Sequence, residues 1–165
     1  MVHHFAPEIC DHDPLGICLN AVYATLGAPD PAQVDDDMQS KIYAGFPSST
    51  SIRNFLQVVY TGFYPREFRE YMYQNESANM KAYGQNTSPI YDLGQFHTPT
   101  VLFVGPADQV ATVLDVKYWS AKLGTKANVI YVDNHAWAHL DFIFAKNACQ
   151  KLYTPLIQRL QNCSS

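Results

Sequence analysis

Two short apolar runs, Thr100-Val-Leu-Phe-Val104 and Val129-Ile-Tyr-Val132, constrain this chain more than any other feature. Each is followed by a helix-like pattern, Leu114 to Leu123 after the first and His139 to Leu160 after the second. Unbroken runs of β-branched and aromatic residues belong to strands buried on both faces, and strands linked through a helix run parallel. The pattern therefore predicts a strand-helix-strand-helix unit of an α/β fold. A lone parallel pair leaves both edges without hydrogen-bond partners, so the predicted sheet is incomplete.

The residues before this unit alternate between turn signals and short helices. Asp13-Pro14, Ala28-Pro29-Asp30-Pro31 and Phe46-Pro47 break the chain around one apolar run, Leu19 to Leu26, which reads as a short helix. Ser51 is a candidate N-cap, and Ile52, Phe55, Leu56, Val59 and Tyr60 recur at helical spacing until Gly62. A second helix is expected over Pro65 to Tyr73, with proline in the first turn, where its missing N–H costs nothing. Residues 74 to 97, rich in Asn, Ser, Gly and Gln, read as a loop.

Several classes of partner are disfavoured. Eleven basic against fifteen acidic residues give a net charge of −4, and no Lys or Arg run could track phosphates, so nucleic acid is not an expected partner. Charged and polar residues interrupt every apolar run short of a membrane span, and the first residues, Met1-Val-His-His-Phe-Ala-Pro7, lack the pattern of a signal peptide. Adjacent carboxylates point apart, so Asp35-Asp36-Asp37 reads as solvated surface, as do His3, His4 and His12; no metal or cofactor is expected. Cys10, Cys18, Cys149 and Cys163 form no CxxC pair, and their spacing is compatible with a Cys10–Cys18 loop or with four idle thiols. Asn75-Glu-Ser77, Asn86-Thr-Ser88 and Asn162-Cys-Ser164 are glycosylation sequons, which would suit a secretory-pathway protein.

The chemistry concentrates after the two apolar runs. In open α/β sheets functional groups gather at the carboxyl ends of the strands. Asp108 follows the first run in Gly105-Pro-Ala-Asp108, and His139 follows the second in Trp137-Ala-His139-Leu-Asp141. A carboxylate that orients an imidazole, which then takes a proton from a serine, is the division of labour of a catalytic triad, and α/β-hydrolases present it in the order Ser, Asp, His.

The local sequence resembles the acid lipases, the gastric and lysosomal lipases of the α/β-hydrolase fold. Trp137-Ala-His-Leu-Asp-Phe-Ile-Phe144 is similar to that family's histidine segment, and Thr98 to Asp108 followed by Leu114-Asp-Val116 to its aspartate segment. Gly45 to Asn54 resembles the run that opens a cap helix, and Pro89-Ile-Tyr-Asp-Leu93 the stretch before the aspartate strand. Pro106 and Val113 depart from the family pattern.

The resemblance implies an incomplete α/β-hydrolase fold, with cap-region helices in residues 1–95 and the last two parallel strands and their helices in residues 96–165. It implies His139 as general base, Asp108 as its orienting acid and a Cys10–Cys18 disulfide, while Asp141 reads as a cap of the first turn of the final helix, where the helix dipole favours a carboxylate. The function implied is that of the carboxyl-terminal part of a serine lipase acting on neutral lipid esters, either triacylglycerols or sterol esters. Peripheral contact with a lipid interface and a lysosomal or secreted location go with it. None of the nine serines stands in a Gly-x-Ser-x-Gly context, so the chain is expected to be an inactive fragment when alone. The alternative is a noncatalytic lipid-binding or interaction module derived from a lipase.

Overall fold

The computed structural model describes residues 17–34, 50–64 and 66–162. Its centre is the expected unit. Strand β1 (Thr100–Val104) pairs in parallel with β2 (Ala127–Tyr131), with Thr100 opposite Ala127 and Val104 opposite Tyr131. The crossover between them is the helix Val113–Leu123, capped by the Thr112 hydroxyl, which accepts from the Asp115 N–H. β2 starts two residues earlier than its apolar run, because a 3-10 turn at Gly124–Lys126 feeds straight into it.

In chain order the helices are α1 (Ile17–Leu26), α2 (Ile52–Phe63), α3 (Glu76–Tyr83), α4 (Val113–Leu123), α5 (Asp141–Phe144) and α6 (Thr154–Asn162). The expected cap of α2 is present: Ser51 accepts from the Asn54 N–H at 3.1 Å. The helix runs on through Gly62 to Phe63, and its apolar residues Ile52, Phe55 and Phe63 stay exposed. Its side chain Gln57 makes the connection to the following segment, accepting from the Met72 N–H at 3.0 Å.

Three expectations fail, each for a physical reason. No helix forms over the described part of Pro65 to Tyr73; Pro65 itself lies outside the described residues. Arg69 instead bridges Ile90 in antiparallel fashion, with Glu70 N–H donating to Pro89 and Tyr91 N–H to Phe68, so the backbone groups a helix would use are spent on another segment. The supposed loop over residues 74 to 97 contains α3. Its N-cap Asn75 accepts from the Ala78 N–H, its C-cap Gly84 adopts φ +72°, and its buried residue is polar. Asn79 meets the backbone of Tyr73 at both N–H (3.0 Å) and carbonyl (3.1 Å), a docking that apolar periodicity cannot reveal.

The continuous helix expected from His139 to Leu160 is broken into α5, a π-helical turn at Cys149–Tyr153 and α6. The break lies where Gln33 docks. Its carbonyl accepts from the Lys146 N–H at 3.0 Å and its side-chain oxygen from the Asn147 N–H at 3.2 Å. Those two donors are therefore taken by a distant segment rather than by the preceding turn.

The buried core follows the ends of the strands. Val132, Trp137, Ala145, Ala148 and Leu152 form one cluster, with Phe103 and Phe142 against it. Leu140 packs with Val22, Tyr23, Leu26, Val34 and Phe144, which joins α1 to the loop after β2. No helix of the described residues is long and apolar enough to cross a membrane.

The role assigned to Asn79 is open to measurement. Replacing it with alanine leaves Tyr73 backbone groups without partners and is expected to cost about 1–3 kcal/mol. Urea unfolding followed by circular dichroism should show the lowered midpoint.

Candidate active site

Parallel pairing puts the carboxyl ends of β1 and β2 at one edge, and the loops leaving that edge carry Asp108 and His139. The first is a tight turn. Asp108 N–H donates to Gly105 O at 3.1 Å, closing a four-residue turn with Pro106 at its second position. Proline's fixed φ suits that position, so the departure at Pro106 is compatible with the turn. Gly105 has a steric task as well: a Cβ there would lie 2.6 Å from the Trp137 carbonyl oxygen.

That close approach lets the two loops bond directly. Ala107 N–H donates to Trp137 O at 3.0 Å, tying the aspartate turn to the chain two residues before His139. Trp137 is fully buried and packs edge-on against Phe142. Backbone and indole together fix the register between the loops.

Within this frame Asp108 Oδ2 lies 3.1 Å from His139 Nδ1. The other carboxylate oxygen, Oδ1, accepts from the N–H groups of Val110 (2.8 Å) and Ala111 (2.9 Å), which fixes the plane of the carboxylate. An ionised carboxylate only accepts, so the bond to His139 requires the proton on Nδ1 and leaves Nε2 as the basic nitrogen. The Asp108 side chain is 4% exposed and that of His139 is 39% exposed. An imidazole held this way can take up a proton at its outward nitrogen while the carboxylate stabilises the resulting cation.

Asp141 does something other than the expected helix cap. It opens α5 but makes no capping bond within it. Instead its Oδ2 accepts from the N–H groups of Ala138 (2.8 Å) and Asp30 (2.9 Å), while Oδ1 is buried without a partner. Burial pushes the Asp141 carboxyl above its ordinary range, with a smaller push from Asp30, against the two backbone N–H groups that lower it. Sequence reasoning passed over Asn134 on the histidine loop and its distant partners Asp30 and Gln33, which meet this region from 104 to 114 residues away in the chain. No periodic signal marks them.

The remaining expected residues are scattered. Cys18 is disulfide-bonded and Cys149 is a free thiol, while Cys10 lies outside the described residues, as do His3, His4, His12 and Asp35 to Asp37. Asn75, Asn86 and Asn162 are exposed, although Asn75 also serves as the cap of α3. Among the described residues no group of three or more His, Cys, Asp or Glu side chains could hold a metal ion.

No protein-family model matches the chain. Among curated proteins it is 25% identical over 150 residues to lipase member N of Homo sapiens, covering 91% of this chain and 37% of that protein. Lipase member N of Mus musculus is 32% identical over 116 residues, covering 70% of this chain and 28% of that protein. The gastric triacylglycerol lipase of Bos taurus is 30% identical over 157 residues, 91% of this chain and 37% of its own length. The chain is a relative of the acid lipases. It spans 28–37% of the length of these relatives. The kinship implies an α/β-hydrolase fold, and two parallel strands with their helices are compatible with part of one.

Two outcomes follow from this geometry. Gly105→Ala forces its Cβ against the Trp137 carbonyl and is expected to cost about 1–3 kcal/mol of stability, read as a drop in thermal midpoint. Because the folded state raises the Asp141 pKa, protonation there favours folding. That contribution is complete below the ordinary 3.8 and is lost as pH rises through the elevated value. Asp141→Asn carries no such loss, so its thermal midpoint relative to the unsubstituted chain should climb from acid toward neutral pH.

Proposed function

We propose that this chain supplies the base and the acid of a serine-lipase triad, His139 and Asp108, and that residues 96–165 form the carboxyl-terminal core segment of such an enzyme. Residues 1–95 then belong to its cap region. The observation that carries the reading is the engagement of His139 Nδ1 by a buried, doubly anchored carboxylate, with the imidazole side chain partly open to solvent. Several relatives are named lipases, one of them a gastric triacylglycerol lipase, which supports esters of neutral lipids as the substrate class. A secreted or lysosomal site of action, and glycosylation at Asn75, Asn86 and Asn162, belong to the same reading.

The reaction is acyl transfer. A serine hydroxyl gives its proton to His139 Nε2 as it attacks the ester carbonyl, and Asp108 stabilises the imidazolium. His139 then returns the proton to the leaving alcohol, and water releases the fatty acid from the acyl-enzyme by the same relay. The serine must be held on a strained strand-to-helix turn, and none of the 165 residues provides that Gly-x-Ser-x-Gly setting. By itself the chain should therefore not turn over p-nitrophenyl butyrate.

A chimera tests the positive claim: residues 96–165 replace the corresponding carboxyl-terminal part of gastric triacylglycerol lipase, and tributyrin hydrolysis is measured. The reading expects activity that falls by about 10⁶-fold on His139→Ala and about 10⁴-fold on Asp108→Asn. A folded, active chimera indifferent to His139→Ala would exclude His139 as the base. Turnover by the 165-residue chain that is lost on His139→Ala would instead show that it needs no further nucleophile.

A further inference from the structure

His139 is flanked by two buried residues, Ala138 and Leu140, and its ring points away from that burial toward Asp108 and solvent. What fixes the backbone at this point is a local carboxylate that also holds a distant segment. One oxygen of the fully buried Asp141 holds the Ala138 N–H at 2.8 Å and, from a residue 111 positions away in the chain, the Asp30 N–H at 2.9 Å. Asp30 Oδ2 in turn accepts from Asn134 Nδ2 at 2.7 Å, five residues ahead of His139 on the same loop. The two ends of the histidine loop, Asn134 and Ala138, are thus both fastened to the segment that follows α1.

This arrangement is expensive as packing. It buries Asp30 and Asp141 near each other and leaves Asp141 Oδ1 without a partner, while the neighbouring Leu140 cluster already holds α1 against the loop with apolar contacts. Apolar residues would join these segments at lower cost but would not fix one backbone N–H in direction. A directional bond is what a neighbouring imidazole needs if its ring is to meet Asp108 within hydrogen-bond distance.

We propose that Asp30, Asp141 and Asn134 form a clasp whose task is to set the orientation of His139 against Asp108, making Asp141 a positioning residue of the dyad. The inference rests on the triad reading. It gives the 17–34 segment a part in the active site, through Asp30.

The ring nitrogens of His139 report on the clasp directly. In the ¹⁵N-labelled 165-residue chain at about pH 8, above the usual imidazole titration range, long-range proton–nitrogen correlation distinguishes the Nδ1-protonated ring from the Nε2-protonated one. The unsubstituted chain is expected to show Nδ1–H. Asp141→Asn keeps an oxygen able to accept from Ala138 and Asp30, and should retain it. Asp141→Ala and Asn134→Ala should lose the Nδ1–H signature in favour of Nε2–H, with the amide resonances of β1 and β2 unmoved.

Retention of Nδ1–H in Asp141→Ala with a native amide spectrum overturns the clasp. If Asp141→Ala fails to fold, Asn134→Ala decides by the same criterion: loss of the signature supports the clasp and retention overturns it. Absence of Nδ1–H in the unsubstituted chain would sink the His–Asp reading itself, a failure visible before any substitution is made.

Discussion

Parallel pairing of β1 with β2 is the constraint on which the site depends. Two parallel neighbours end on the same edge, so the loops that leave them emerge side by side whatever their sequences. That places Asp108 and His139, 31 residues apart, in one neighbourhood, and the close fit of Gly105 under the Trp137 carbonyl brings them to bonding distance. A helix-linked pair with any side chain at position 105 would keep the neighbourhood and lose the fit. Topology supplies proximity; the glycine and the Ala107 to Trp137 bond supply register.

The pair is unequal in a chemically useful way. Asp108 is buried and anchored by two N–H groups of its own loop, so little of its orientation depends on His139. His139 is the more exposed partner, its ring carried on a loop that is fastened at Asn134 and at Ala138. A buried, anchored acceptor beside a solvent-accessible imidazole is the arrangement that the proposed proton relay calls for.

How much of this was legible in the sequence depended on which force held each part. β1, β2 and α4 are apolar elements with ordinary periodicity, and they lie close to where the pattern put them. The dyad was legible because Asp108 and His139 each follow a strand and sit in segments resembling known ones. What was missed is held by polar contacts between distant residues. α3 is docked through Asn79, the Arg69 region pairs with Ile90, and Gln33 interrupts the long carboxyl-terminal helix by taking the N–H groups of Lys146 and Asn147. Asp141 illustrates the point most sharply: its position at the head of a helix suggested a local cap, whereas its carboxylate ties the preceding loop at Ala138 to the distant Asp30. Hydropathy records burial and period, and it is silent about where a single carbonyl or carboxylate finds its donor.

The central claim is that His139 and Asp108 act as one unit, and the proton between them is its most direct witness. In a cooled aqueous sample of the 165-residue chain, proton NMR should show the His139 Nδ1–H far downfield of the amide region, in slow exchange, and Asp108→Ala should abolish it while the remaining spectrum keeps its folded dispersion. A folded chain that lacks this resonance, or one in which it survives Asp108→Ala, would contradict the account.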